Sequence, residues 1–224
     1  MKHIFNINIC IFIMLFSGCI STKKYINYIN QKCNQKNELI NVNDYVEFKD
    51  TINKTTDSIV KAEKIKSYFI PAIFYWEWNN TIKCELSGKQ TFNTFYYYFQ
   101  CYADSLNLKD KLNGEKINIS FESIPNTFIY TNKGYIVIII IAYFMGQLEA
   151  IFPENSKLIF TYRILNGTKE TKSGKIEINN INTPVKNIWK STKKFTWMYI
   201  DQYVNNLKIL SKTACKTLMD DIDN

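Results

Sequence analysis

The chain has 224 residues, 46% of them hydrophobic and 15% aromatic, with 28 basic and 20 acidic side chains. That is enough apolar material for one packed domain of ordinary size, and it excludes global disorder. The formal charge of +8 is lysine charge, with Arg163 the only arginine, which argues against a nucleic-acid reader relying on bidentate guanidinium contacts.

The first segment in chain order is residues 1–19. Lys2 precedes an apolar run from Ile4 to Phe16, interrupted by Asn6 and Asn8, and the run ends Leu15-Phe16-Ser17-Gly18-Cys19. A basic start, an apolar segment and small residues before a cut site predict an export signal. The last five residues resemble the lipobox of bacterial lipoproteins, with Phe16 where that class usually has leucine and Leu15 one place further out. The resemblance covers the signal alone. It implies cleavage of residues 1–18, a diacylglyceryl group on Cys19, an acyl chain such as palmitate on the new N-terminus, and attachment to a cell-envelope membrane, on its periplasmic side or at the outer membrane. Ile20 follows the cysteine instead of aspartate, which leans toward the outer membrane. An ordinary cleaved signal and an uncleaved anchor are the alternative readings. The run is shorter than the ~20 residues a spanning helix needs.

Only Lys2 is charged in residues 1–18, so the mature chain carries +7. Residues 19–56 are polar and rich in Asn and Lys, and read as a mostly flexible tether with a short strand at Tyr45–Phe48. Lys23 and Lys24 lie beside the anchor, where they attract anionic head groups. The folded domain is placed at 57–224.

Within that domain, Ser58–Trp78 reads as extended, and Pro71 marks an edge, a bulge or a strand start. Apolar residues at 92, 95, 96, 99, 102, 103 and 106 predict an amphipathic helix near 91–106, with Gly114 closing the region. Ile117, Ile119 and Phe121 alternate with polar residues as in a half-buried strand. Tyr135–Met145 is almost unbroken and rich in isoleucine, which predicts a buried central strand. Leu158, Phe160, Tyr162 and Ile164 alternate, placing Arg163 on the opposite face. Asn166-Gly167 predicts a hairpin, with a bulge at Ser173-Gly174 in the return strand. Finally Ile200, Tyr203, Val204, Leu207, Leu210, Ser211, Ala214 and Leu218 form one stripe of a helix of about 25 residues. Its acidic end, Asp220, Asp221 and Asp223, opposes the macrodipole, so the last turn is expected to fray. The fold class is α+β: an antiparallel sheet with the helix near 91–106 and the long C-terminal amphipathic helix packed on it.

Chemistry is restricted by what is missing. The sole histidine, His3, lies in the signal, so histidine-dependent triads and histidine metal sites are excluded from the mature chain. There is no G-x-S-x-G, Walker loop or G-x-G-x-x-G, and no cofactor or metal is implied. Glu77, Glu85, Glu122, Glu149 and Glu154 are the carboxylates near apolar segments, and their spacing singles out no acid/base pair. Cys33, Cys84, Cys101 and Cys215 remain in the mature chain beyond Cys19. Cys101 falls on the polar side of its helix, which points to a Cys84–Cys101 disulfide outside the cytoplasm. Phe74, Trp76 and Trp78 share one strand face and are the candidate ligand-binding residues, against the alternative that they close the core.

The function expected is that of a lipid-anchored, non-enzymatic envelope protein with an accessory or binding role, of which an immunity or inhibitor protein is one form. It would hold the membrane through its anchor and meet an envelope protein partner, not nucleic acid. The alternative is a periplasmic module binding lipid or glycan on the strand around Trp76 and Trp78. A carboxylate hydrolase would need two of the glutamates within about 10 Å in a cleft.

Overall fold

The computed structural model describes residues 20–33, 44–49, 60–139 and 142–223. The signal segment and Cys19 lie outside the described residues. The helices are α1 (Thr22–Cys33), α2 (Gly88–Ser105), α3 (Leu108–Leu112) and α4 (Thr192–Asp223). The strands are β1 (Val46–Lys49), β2 (Val60–Pro71), β3 (Tyr75–Leu86), β4 (Lys116–Ser123), β5 (Thr127–Ile139), β6 (Ala142–Pro153), β7 (Lys157–Asn166), β8 (Lys169–Asn179) and β9 (Val185–Asn187). The fold is α+β, as its alternating strands and striped helices require. The strands divide between two sheets, ordered β1-β4-β7-β8 and β2-β3-β5-β6-β9. All pairings are antiparallel except β1 with β4.

Alternation sets the inner face of the four-stranded sheet. Ile117, Ile119 and Phe121 of β4 and Leu158, Phe160, Tyr162 and Ile164 of β7 are buried, while Arg163 faces out and meets Glu170. α2 lies on this face. Ser87 caps it by accepting from the Gln90 amide, and Phe95 packs edge-on to Phe121 at 5.3 Å. Phe121 also stacks on Phe48 of β1 and touches Phe160, giving an aromatic core. Each such ring contributes roughly 1.5–3 kcal/mol through burial.

The five-stranded sheet has its own cover. Ile82 and Cys84 of β3, Phe128 and Tyr130 of β5 and Ile151 of β6 face α1 and the first half of α4. Tyr25 of α1 lies 4.4 Å from Tyr130, and Phe128 lies 4.9 Å from Tyr199 of α4. α4 therefore serves both sheets. Its first half backs the five-stranded sheet, and its end reaches β7 and β8 through Asp221, which accepts from the Tyr162 hydroxyl.

Several expectations are revised. Residues 22–33, assigned to a flexible tether, form α1. Ser21 caps it, with the Lys24 amide donating to the Ser21 hydroxyl, and Tyr25 and Ile29 on one helix face are fully buried. Tyr135–Met145 is not one buried strand. It spans the end of β5 and the start of β6, a hairpin whose last rung is Ile139 with Ala142, and Tyr135, Ile139, Tyr143, Phe144 and Met145 are exposed. The β8 irregularity falls at Thr171, between the rungs Ile164–Lys172 and Leu165–Glu170, and not at Ser173-Gly174. Gly174 instead makes room for the Tyr162 ring, which a Cβ there would meet at 2.6 Å. The C-terminal helix is longer than expected, 32 residues, and its acidic last turn is held. Lys111 pairs with Asp223, and Lys172 donates to the carbonyls of Asp221 and Ile222, supplying the positive charge a helix C-terminus favours.

The Cys84–Cys101 disulfide is also absent: both are free thiols. Cys84 points into the core of the five-stranded sheet, where burial pushes its thiol up to about 12. Cys101 lies about 200° around α2 from Phe99, whose side packs on the other sheet, and Cys101 meets the Tyr97 hydroxyl.

Candidate functional site

Two places on the five-stranded sheet gather polar or aromatic groups. The first is a row across its inner face: Asn80, Asn132 and Glu149 are in register on β3, β5 and β6, and all three are buried. Glu149 is only 8% exposed. It accepts hydrogen bonds from the Tyr130 hydroxyl at 2.8 Å, the Thr192 hydroxyl at 2.7 Å and the Asn187 amide. Burial, and next the Glu149 carboxylate, hold the Tyr130 phenol well above its usual range. Glu149 thus ties β6 to β9 and to the first residue of α4, with its negative charge at a helix N-terminus. A carboxylate with three donors inside the fold is a clamp, and its oxygens are already committed.

The other sequence candidates for acid/base work are dispersed. Glu77 accepts from Tyr75 at 2.6 Å and from Tyr68, which together lower its carboxyl below the ordinary value. Glu122 pairs with Lys175 and Glu154 with Lys83. Glu85 is paired with Thr127 across β3 and β5. The side chains of the first three are each engaged by their own partners. Among the described residues no group of three or more His, Cys, Asp or Glu side chains is placed to hold a metal ion.

The second place is the opposite end of the same sheet from Leu86, where the three aromatic candidates lie. Phe74 sits in the β2–β3 turn and is 63% exposed. Its carbonyl accepts from the Ile138 amide at 2.8 Å, which binds the turn to β5. Trp76 and Trp78 follow on β3, half-buried and on the same face as Asn80. Trp78 is locked: its ring lies over Gly134 in the paired position of β5, where any Cβ would collide with it, and its indole donates to Asn132 at 3.1 Å. One strand further, the Tyr135 ring lies over Gly146, and a Cβ there would meet it at 2.6 Å. The two glycines let these rings lie flat on the sheet, Trp78 on the inner face and Tyr135 on the outer one, at neighbouring rungs of the ladder.

Sequence reasoning found the β3 half of this end and missed the β5–β6 half, because the long isoleucine run carries no turn residue to mark a hairpin. It also missed Glu149 as a clamp and Trp189, which is 94% exposed just after β9. Among the described residues no helix is long and apolar enough to cross a membrane. Compared with models of known families, with curated proteins and with solved structures, the chain matches none.

Proposed function

We propose that this is a lipid-anchored protein of the bacterial cell envelope, held through a diacylglyceryl group on Cys19, with a non-enzymatic accessory or binding role. The observation that carries the reading is the fixed placement of the residue next to Cys19. The Ile20 carbonyl accepts from the Asn80 side chain at 3.0 Å, and Ser21 at once begins α1. An acyl chain on Cys19 would leave the domain at the Asn80 row, beside the exposed apolar end of the sheet. Several acyl chains at one point give durable attachment, because each buried CH₂ contributes about 0.8 kcal/mol. An immunity or inhibitor role gains no support from the outer face of the four-stranded sheet. Its charges alternate as Lys157–Glu177, Arg163–Glu170 and Lys175–Glu122 pairs, without one dominant sign.

The test is the intact mass of protein purified from membranes of its native host, beside a Cys19→Ala variant. The expected result is a chain of residues 19–224 plus acyl groups, with that added mass lost in the variant. An unmodified mass would remove the anchor.

A second reading is favoured by the exposure of Phe74 beside the half-buried Trp76: a module that binds lipid or stacks glycan rings on this strand. Titration of tryptophan fluorescence with peptidoglycan fragments checks it. A saturable change abolished by Trp76→Ala is the expected outcome, and an unchanged spectrum overturns it.

A further inference from the structure

The helix cover of the five-stranded sheet ends on one row. Ile20 and the start of α1 lie against Asn80, and the first residue of α4 lies against Glu149, with Asn132 between them in register. Beyond that row no described helix covers the β2–β3 and β5–β6 hairpins. Their sequences there, residues 68–78 and 134–146, contain a single charged side chain, Glu77. Its two oxygens are taken by Tyr68 and Tyr75.

Both faces of this end are apolar. Register and alternation put Trp76, Ile136 and Met145 on the inner face, and Ile70, Tyr135 and Phe144 on the outer one. An antiparallel sheet with one covered face and one wet face alternates apolar with polar; this end does not. The tips are the most exposed part, with Ile73 at 83% and Tyr143 at 74%. A protein seated on one face would leave the other in water. The hydrocarbon of a bilayer meets both faces at once.

The dimensions match one leaflet. The uncovered apolar part of β5, Tyr135–Ile139, is about 17 Å long at a strand rise of about 3.3 Å. Half of a hydrocarbon core about 30 Å thick is about 15 Å, whereas a spanning strand needs roughly 9–11 residues.

The rim has the chemistry of an interface. Lys133 lies just below Gly134 on β5. Lys23 and Lys24 begin α1, and Lys193 and Lys194 begin α4. Ile188 and Trp189 follow β9, whose last rung pairs Asn187 with Glu149, so the chain there runs on toward the apolar end. Exposed tryptophan and lysine around an apolar end match the aromatic and anionic layer of a phospholipid surface.

We propose that the β2–β3 and β5–β6 hairpin ends insert together into one leaflet of an anionic phospholipid bilayer. Trp78 on the inner face, Tyr135 on the outer face and the lysines of α1 and α4 sit at head-group level. This goes beyond the lipid-anchor reading and does not depend on it. An acyl chain on Cys19 would enter the same leaflet from the same side.

The test adds one tryptophan to the full-length protein at Phe74, Tyr143 or Ile209, the last an exposed position on α4. Each variant is bound to phosphatidylethanolamine–phosphatidylglycerol vesicles whose acyl chains carry bromine as a contact quencher. The added fluorescence at 74 and 143 is expected to fall at least about twofold, and that at 209 to stay unchanged. The same contrast is expected in a Cys19→Ala background, so that loss of the acyl mass and failure of insertion are read separately. Quenching at 74 and 143 no greater than at 209, with the acyl mass intact, overturns insertion and leaves the anchor. A blue shift at 74 and 143 that grows with protein concentration and ignores brominated lipid assigns the face to a second copy, and equally overturns it.

Discussion

The β3 and β5 strands each cross two environments. From Asn80 to Leu86 the inner face of β3 meets α1 and α4, and Ile82 and Cys84 are fully buried. From Tyr75 to Trp78 the same face continues with the half-buried Trp76 and Trp78, and no described helix covers it. Nothing in the hydrophobicity of the strand marks the change; if anything the uncovered part is the more apolar. Burial is set by what packs on a strand, so apolar composition reports a need for apolar surroundings without saying whether the protein supplies them.

The contrast can be broken from either side. The largest effect is expected in the covered half: Phe128→Ala, beneath Tyr199, should lower stability by about 3–5 kcal/mol in denaturant melts, since it leaves a cavity in a filled core. A smaller loss of about 1–3 kcal/mol is expected for Glu149→Ala, which strands the buried donors of Tyr130 and Thr192. Were Glu149 a reactive group held under strain, the same melt would show a gain. In the uncovered half, the pair Ile73→Ser and Phe74→Ser should change stability by no more than about 0.5 kcal/mol. A drop as large as that of Phe128→Ala would mean the tips are packed.

The smallest effect concerns pH. Hydrogen bonds from Tyr68 and then Tyr75 hold the Glu77 carboxyl below its ordinary value, so the folded state binds this proton less readily than the unfolded chain. The stability it contributes is present above the ordinary carboxylate range and lost as pH falls through the lowered value. Melting temperature should therefore drop slightly more between about pH 5 and about pH 3 in the native protein than in Glu77→Gln. Equal slopes would show the two phenols contribute nothing there.

Where period and burial agreed, the fold was legible. The alternation of β4 and β7, the Asn166-Gly167 hairpin and the stripe of α4 are each local patterns that packing did not override. α1 was not legible because only Tyr25, Ile29 and Cys33 face inward, among lysines and asparagines that suit a tether equally well. The β5–β6 hairpin was hidden for the opposite reason: isoleucine on both sides of the turn erased the boundary. Of the candidate site, Phe74, Trp76 and Trp78 were visible in the sequence. Their neighbours Tyr135, Phe144 and Met145 became so only through cross-strand register, which no local pattern encodes.

The most direct measurement is residue-resolved amide hydrogen exchange of the full-length protein with and without anionic bilayer discs. Without lipid, the amides of Ile82 and Tyr130 should exchange at least about tenfold more slowly than those of Trp76 and Val137, because only the first pair is backed by helices. With bilayer present, Trp76 and Val137 should gain protection while Ile82 and Tyr130 stay as they were. Equal protection of both pairs in the absence of lipid, unaltered by its addition, would contradict the division of the sheet into a half completed by the protein and a half completed by a membrane.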